Sequence, residues 1–90
     1  MNNVYIVTEL SIDDYEGIST SCHGAFNNFE GARMTQTAIR DGIISNLLED
    51  NIDNEEFTED SVEVTEYESI IEISADECLY KIIIDKVELL

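Results

Sequence analysis

The segment Cys78 to Leu89 (CLYKIIIDKVEL) constrains the fold of this chain more than any other. As an extended strand it sets Tyr80, Ile82 and Ile84 on one side and Leu79, Ile83 and Val87 on the other. A strand that is apolar on both sides needs cover on both. One face can take a helix; the other must meet a second element or a second copy of the chain, which would double the net charge to -34 (2 × -17).

The helix is legible upstream. From Asn28 the period of apolar residues changes, with Ala32, Thr35, Ile39, Ile43 and Leu47 at helical spacing and Phe29 and Ile44 flanking the stripe. Asn28 is a good N-cap and Glu30 sits in the first turn, where the helix dipole favours an acid. These signals predict an amphipathic helix of about 22 residues, roughly 33 Å long. Arg33 and Arg40, seven residues apart, lie together beside the stripe.

Three further segments read as extended. Val4 to Leu10 (VYIVTEL) is β-branched and aromatic and runs into a turn at Ser11-Ile12-Asp13-Asp14. Gly17 to Phe26 reads as a second strand or an irregular edge. Ser69, Ile71, Ile73 and Ala75 alternate with Glu68, Ile70, Glu72, Ser74 and Asp76, which predicts a strand with one apolar side. If Asp76-Glu77 is a two-residue turn into the last strand, Glu72 faces Lys81 and Ile71 faces Ile82. Asp-Glu is a poor pair for such a turn, so a longer loop is the competing expectation. Glu49 to Asp60, with Phe57 as its large aromatic, reads as a loop or short irregular helix. The expected fold is α+β: one domain over residues 1–90, with an antiparallel sheet of three to four strands and one long amphipathic helix packed on one face.

Charge bounds the function. The chain has 21 Asp and Glu against 4 Lys and Arg, a formal charge of -17. Between Arg40 and Lys81 there are fourteen acids and no base. Self-repulsion of this size opposes folding, so it points to solubility or to a partner that reads negative charge. A basic groove is the natural partner. The candidate partner-binding residues are the dense block Glu49, Asp50, Asp53, Glu55, Glu56, Glu59, Asp60, Glu63, Glu66, Glu68, Glu72, Asp76 and Glu77. On an extended strand, alternate carboxylates such as Glu66, Glu68 and Glu72 would stand ~6.6 Å apart, within a factor of two of the ~3.4 Å per charge of one DNA strand. The competing reading of any charge run is a solvated face.

Other chemistries fit poorly. Direct binding of nucleic acid or acidic lipid is disfavoured by repulsion. The EF-hand pattern fails at Asp50 (DNIDNE) and at Asp53 (DNEEFT), neither of which has the sixth-position glycine, so no metal or other cofactor is expected. Cys22 and His23 are neighbours, which on a strand point to opposite faces; the expectation is a packed cysteine beside an exposed histidine, not a nucleophile and its base. With no glycine-rich pocket loop or metal cluster, enzymatic activity is not expected. The two cysteines lack disulfide-framework spacing, and Met-Asn-Asn-Val lacks the features of a signal peptide, so the chain is expected in the cytoplasm with free thiols.

The VYIVTE opening and the GAFNNFEGA entry into the helix, with Gly24, Phe26 and Ala32, resemble a family of short phage and bacterial domains that start with a strand and enter a helix in this way. The resemblance extends roughly as far as Arg40. Taken with the acidity and the absence of proline, the chain is similar to small acidic early proteins of T-even-type phages, and among them to the DNA-mimic anti-restriction proteins of the Arn type. That resemblance implies a protein shaped and charged like duplex DNA, acting in the host cytoplasm on a modification-dependent nuclease of the McrBC type, without catalytic residues. Two alternatives share the physics: an anti-CRISPR inhibitor, and an immunity protein that covers the active site of a basic toxin nuclease.

Overall fold

The computed structural model describes residues 2–89. Five strands form one antiparallel sheet: β1 (Asn2–Asp13), β2 (Gly17–Phe26), β3 (Glu63–Glu66), β4 (Ile70–Ala75) and β5 (Cys78–Leu89), in the spatial order β2-β1-β5-β4-β3. A single long helix, α1 (Phe29–Asp50), packs on one face. The architecture is α+β, with one strand more than the upper expectation. The added strand is β3, four residues (EVTE) that are all exposed. Its apolar signal is a single valine, Val64, paired with Ile73, so pairing with β4 makes it a strand where periodicity alone does not.

β1 runs three residues beyond the segment expected from its sequence, and Ser11-Ile12-Asp13 continues the ladder instead of turning. The turn is Asp14-Tyr15-Glu16. Asp13 holds it by accepting backbone N–H bonds from Tyr15 (2.7 Å) and Glu16 (3.3 Å), which lowers its carboxyl pKa below the ordinary aspartate value. This contribution is complete above the unfolded carboxyl range and is lost as pH falls through the lowered pKa. Gly17 closes the turn at φ +89°, a conformation that suits glycine. The β4–β5 turn is two residues long: Ala75 pairs with Cys78, Glu72 with Lys81 and Ile71 with Ile82. Asp76 accepts the positive φ, +46°, that this tight connection requires.

The helix matches its expected bounds, and Asn28 caps it by accepting from the Gly31 N–H at 2.7 Å. Its fully buried residues are Ala32 and Gln36. Around them Val7, Ile71, Ile73, Ile82 and Ile84 form the core, with Ile39, Ile43, Ile44 and Leu47 partly buried against it. Gln36 takes the position that helical spacing assigns between Ala32 and Ile39, and its burial is compensated by bonding. Its Nε2 donates to the carbonyls of Ile82 (2.7 Å) and Ser69 (3.0 Å), and its Oε1 accepts from Arg33 (2.7 Å). The side chain thus ties the helix to β5 and to the residue preceding β4. Replacing Gln36 with leucine, which keeps volume but removes the donors, is expected to cost on the order of 1–3 kcal/mol in a urea melt, because the carbonyl groups lose buried partners. An unchanged midpoint would show that packing alone holds the helix there.

Only one sheet face is covered. The helix lies over the face that carries Val7, Ile71, Ile73, Ile82 and Ile84. The opposite side of the same strands presents Ile6, Leu10, Ile70, Leu79, Ile83 and Val87, and no described element packs over it. The molecule is elongated, 52 × 24 × 18 Å, with a radius of gyration of 14.6 Å where a chain of this length typically has ~12 Å.

Candidate acidic interface

The two tight turns meet at one end of the sheet. The Asp14 N–H donates to the Glu77 carbonyl at 3.4 Å, the Tyr15 hydroxyl to the Glu77 carboxylate at 3.4 Å, and the Cys78 thiol to Asp13 at 3.5 Å. Burial is the first cause that raises the Cys78 thiol pKa, and the neighbouring Asp13 adds to it. The helix delivers its own C-terminus to the same end. Residues 51–58 and the single 3-10 turn Glu59–Ser61 then fold against the β4–β5 turn, so that Asn54, Glu56, Phe57 and Ser61 line one small cleft with Asp76. Thr58 caps the 3-10 turn, accepting from the Asp60 N–H, and Ser61 accepts in return from the Thr58 N–H.

The result is an acidic head. It gathers Glu49, Asp50, Asp53, Glu55, Glu56, Glu59, Asp60, Asp76 and Glu77 from the acidic block, and adds Asp13, Asp14 and Glu16 from the β1–β2 turn. No Lys or Arg lies in these segments. All twelve residues except Asp13 are exposed. The three turn acids escape a reading of the block because they lie more than thirty residues before it in sequence. Two exposed apolar side chains share the head, Tyr15 (82% exposed) and Ile52 (78%), whereas Phe57 is half-buried beneath the loop.

The remaining members of the block are placed differently. Glu66, Glu68 and Glu72 do not follow one another along a single strand: Glu66 ends β3, Glu68 lies in the connection, and Glu72 is on β4. Thr65 pairs with Glu72 and Glu66 with Ile71, so the hairpin sends Glu66 to the helix side and Glu72 to the open side. Both are already paired. Arg40 binds Glu66 and also Asp41 (3.0 Å), and Lys81 binds Glu72 at 3.2 Å. Glu63 is exposed at the edge strand.

The Cys22-His23 pair departs from expectation at the cysteine, while His23 is exposed as expected. The β1–β2 register shifts between Val7, opposite Gly24, and Thr8, opposite Cys22, which leaves His23 as the extra residue of a bulge. The bulge turns the His23 ring to Glu9, with Nε2 2.9 Å from the carboxylate. Cys22 is exposed, not packed, because β2 is an edge strand whose outward side nothing covers. Among the described residues no three His, Cys, Asp or Glu side chains converge as a metal cluster, and no helix is long and apolar enough to cross a membrane. Compared with protein-family models, with curated proteins and with solved structures, the chain matches none.

Proposed function

We propose that this protein is a DNA mimic that occupies the DNA-binding cleft of a host defence nuclease, a modification-dependent restriction enzyme of the McrBC type. The observation that carries this reading is a rod 24 × 18 Å in cross-section, with net charge -17 and a head whose charged residues are all acids. Nine of the thirteen block carboxylates sit in that head, in segments without a compensating base. Such a surface enters a cleft built for phosphates under strong electrostatic steering. Tyr15 and Ile52 supply apolar contact once the charges have docked.

A partner recovered from host lysate is expected to be a DNA-binding nuclease that excess duplex DNA displaces from the protein. Affinity should fall steeply between 0.1 M and 1 M salt, as the Debye length contracts from ~10 Å to ~3 Å. A ternary complex with DNA at saturation, or an affinity indifferent to salt, would overturn the reading.

One observation favours a second reading. Concentration of the acids at one end also suits an immunity protein that plugs the active site of a basic toxin nuclease through a compact patch. The two differ in how binding energy is distributed over the carboxylates, which mutagenesis resolves.

A further inference from the structure

We infer that the outer edge of β2 is a strand-addition site, which takes an extended, acid-free segment of a partner protein, antiparallel to β2 and ending in lysine or arginine beside the acidic head. The inference goes beyond the mimic reading and does not depend on what the head binds. β2 is one edge of the sheet, and among the described residues its backbone bonds to no strand but β1. In an antiparallel ladder alternate residues turn their N–H and C=O outward, so this edge offers unpaired donors and acceptors to a further strand. The regular stretch runs from Gly17 to Cys22, all of it exposed, before the bulge at His23 breaks the register. At ~3.3 Å per residue it gives a docking edge of about 20 Å.

Charge sets this edge apart. β2 holds no acid, whereas each of the other four strands carries at least one. From Gly17 to Leu48 two acids, Glu30 and Asp41, balance two bases, Arg33 and Arg40, so the whole charge of -17 lies outside this segment. Edge strands are ordinarily blunted by charge, by proline or by shortness. The opposite edge, β3, has four residues and two of them are glutamates. β2 has ten residues, and the bulge is its one protective device. Ile18 stands 71% exposed on it, where a neighbouring strand would cover it.

The ends of the edge choose the occupant. At the Gly17 end Asp14 and Glu16 are exposed and make no ion pair among the described residues; beyond the other end Asn27 and Asn28 are uncharged. An antiparallel segment brings its C-terminal end to Asp14 and Glu16, so lysine or arginine belongs there. Small β-branched residues belong beside Ile18, Thr20 and Cys22, which share one side of the strand. A second copy would present the same uncharged strand and leave Asp14 and Glu16 without cations.

Backbone hydrogen exchange by NMR on the intact protein tests this, with the blocked peptide Thr-Val-Thr-Val-Thr-Val-Lys-Lys as the probe. Excess peptide is expected to slow exchange at alternate amides between Gly17 and Cys22 by at least tenfold, and to leave the β3 amides unchanged. Proline in place of the middle valine keeps the charge but removes a backbone donor, and should abolish that protection. Glutamates in place of the lysines should abolish it too. Ile18→Lys puts a charge on the edge at an exposed position, and should weaken the peptide by at least tenfold with unchanged circular dichroism. No protection at millimolar peptide overturns the inference, as does a proline peptide that binds as well as the parent, which would reduce the contact to charge docking at the head. Protection of the β2 amides in the free protein that vanishes on dilution would give the edge to a second copy and overturn it equally.

Discussion

Simultaneous neutralisation of Glu55, Glu56, Glu59, Asp60, Asp76 and Glu77 to their amides is expected to weaken partner binding by at least a hundredfold while the circular dichroism spectrum stays unchanged. All six are exposed in the acidic head, and none makes an ion pair among the described residues. An exposed charge contact is worth ~0.2–1 kcal/mol, so each single amide should cost about 1.4- to fivefold. Six such losses add to several kcal/mol if the sites act independently. Removing like charges should leave the fold intact or firmer. The matched control is the double variant Glu66→Gln, Glu72→Gln. Those carboxylates are held by Arg40 and Lys81, and their loss frees two bases, so the control should move binding far less than the head variant. One dominant carboxylate among silent neighbours, worth ~2 kcal/mol or more alone, would favour the immunity-type interface over mimicry.

Ile71→Ala is expected to cost about 2–5 kcal/mol, a large share of the ~5–15 kcal/mol that holds a small domain folded. Ile71 is fully buried, pairs with Ile82 on β5, and belongs to the cluster beneath the helix. Deleting three of its carbons leaves a cavity between sheet and helix that the surrounding strands are too constrained to close. The melting temperature should fall by at least ~8 °C, since each kcal/mol shifts a domain of this size by ~4–8 °C. Ile39→Ala, at a partly buried helix position, should cost less. Equal melts for Ile71→Ala and the parent would mean that the core lies elsewhere.

The two changes act on different parts of the molecule, and the sequence discloses those parts unequally. The helix was legible because its cap and its stripe are local: Asn28 and the residues from Ala32 to Leu47 are read from spacing alone. Gln36 was not, although it occupies a core position of that stripe. A polar residue is assigned to the core only once its partners are known, and the carbonyls of Ser69 and Ile82 lie 33 and 46 residues away. The β4–β5 register was legible because apolar and charged pairs agree on one alignment, and Asp76 took the positive φ that the tight turn demands. β3 was hidden because its strand character comes from its neighbour.

The acidic site divides in the same way. Its composition and most of its members are written in the block from Glu49 to Glu77, since a run of carboxylates without a base must face solvent or a cation wherever the chain goes. What the sequence determined is therefore the helix, three of the four longer strands (β1, β4 and β5), the two-sided apolar character of β5 and the sign of the surface, all properties of neighbours within a few residues. Only the tertiary structure decided that Asp13, Asp14 and Glu16 join the block in one head, that Glu66 and Glu72 are neutralised, and that the second apolar face of β5 is left open. Those outcomes depend on which distant segments the sheet order brings together, and that order follows from packing the whole core beneath a single helix.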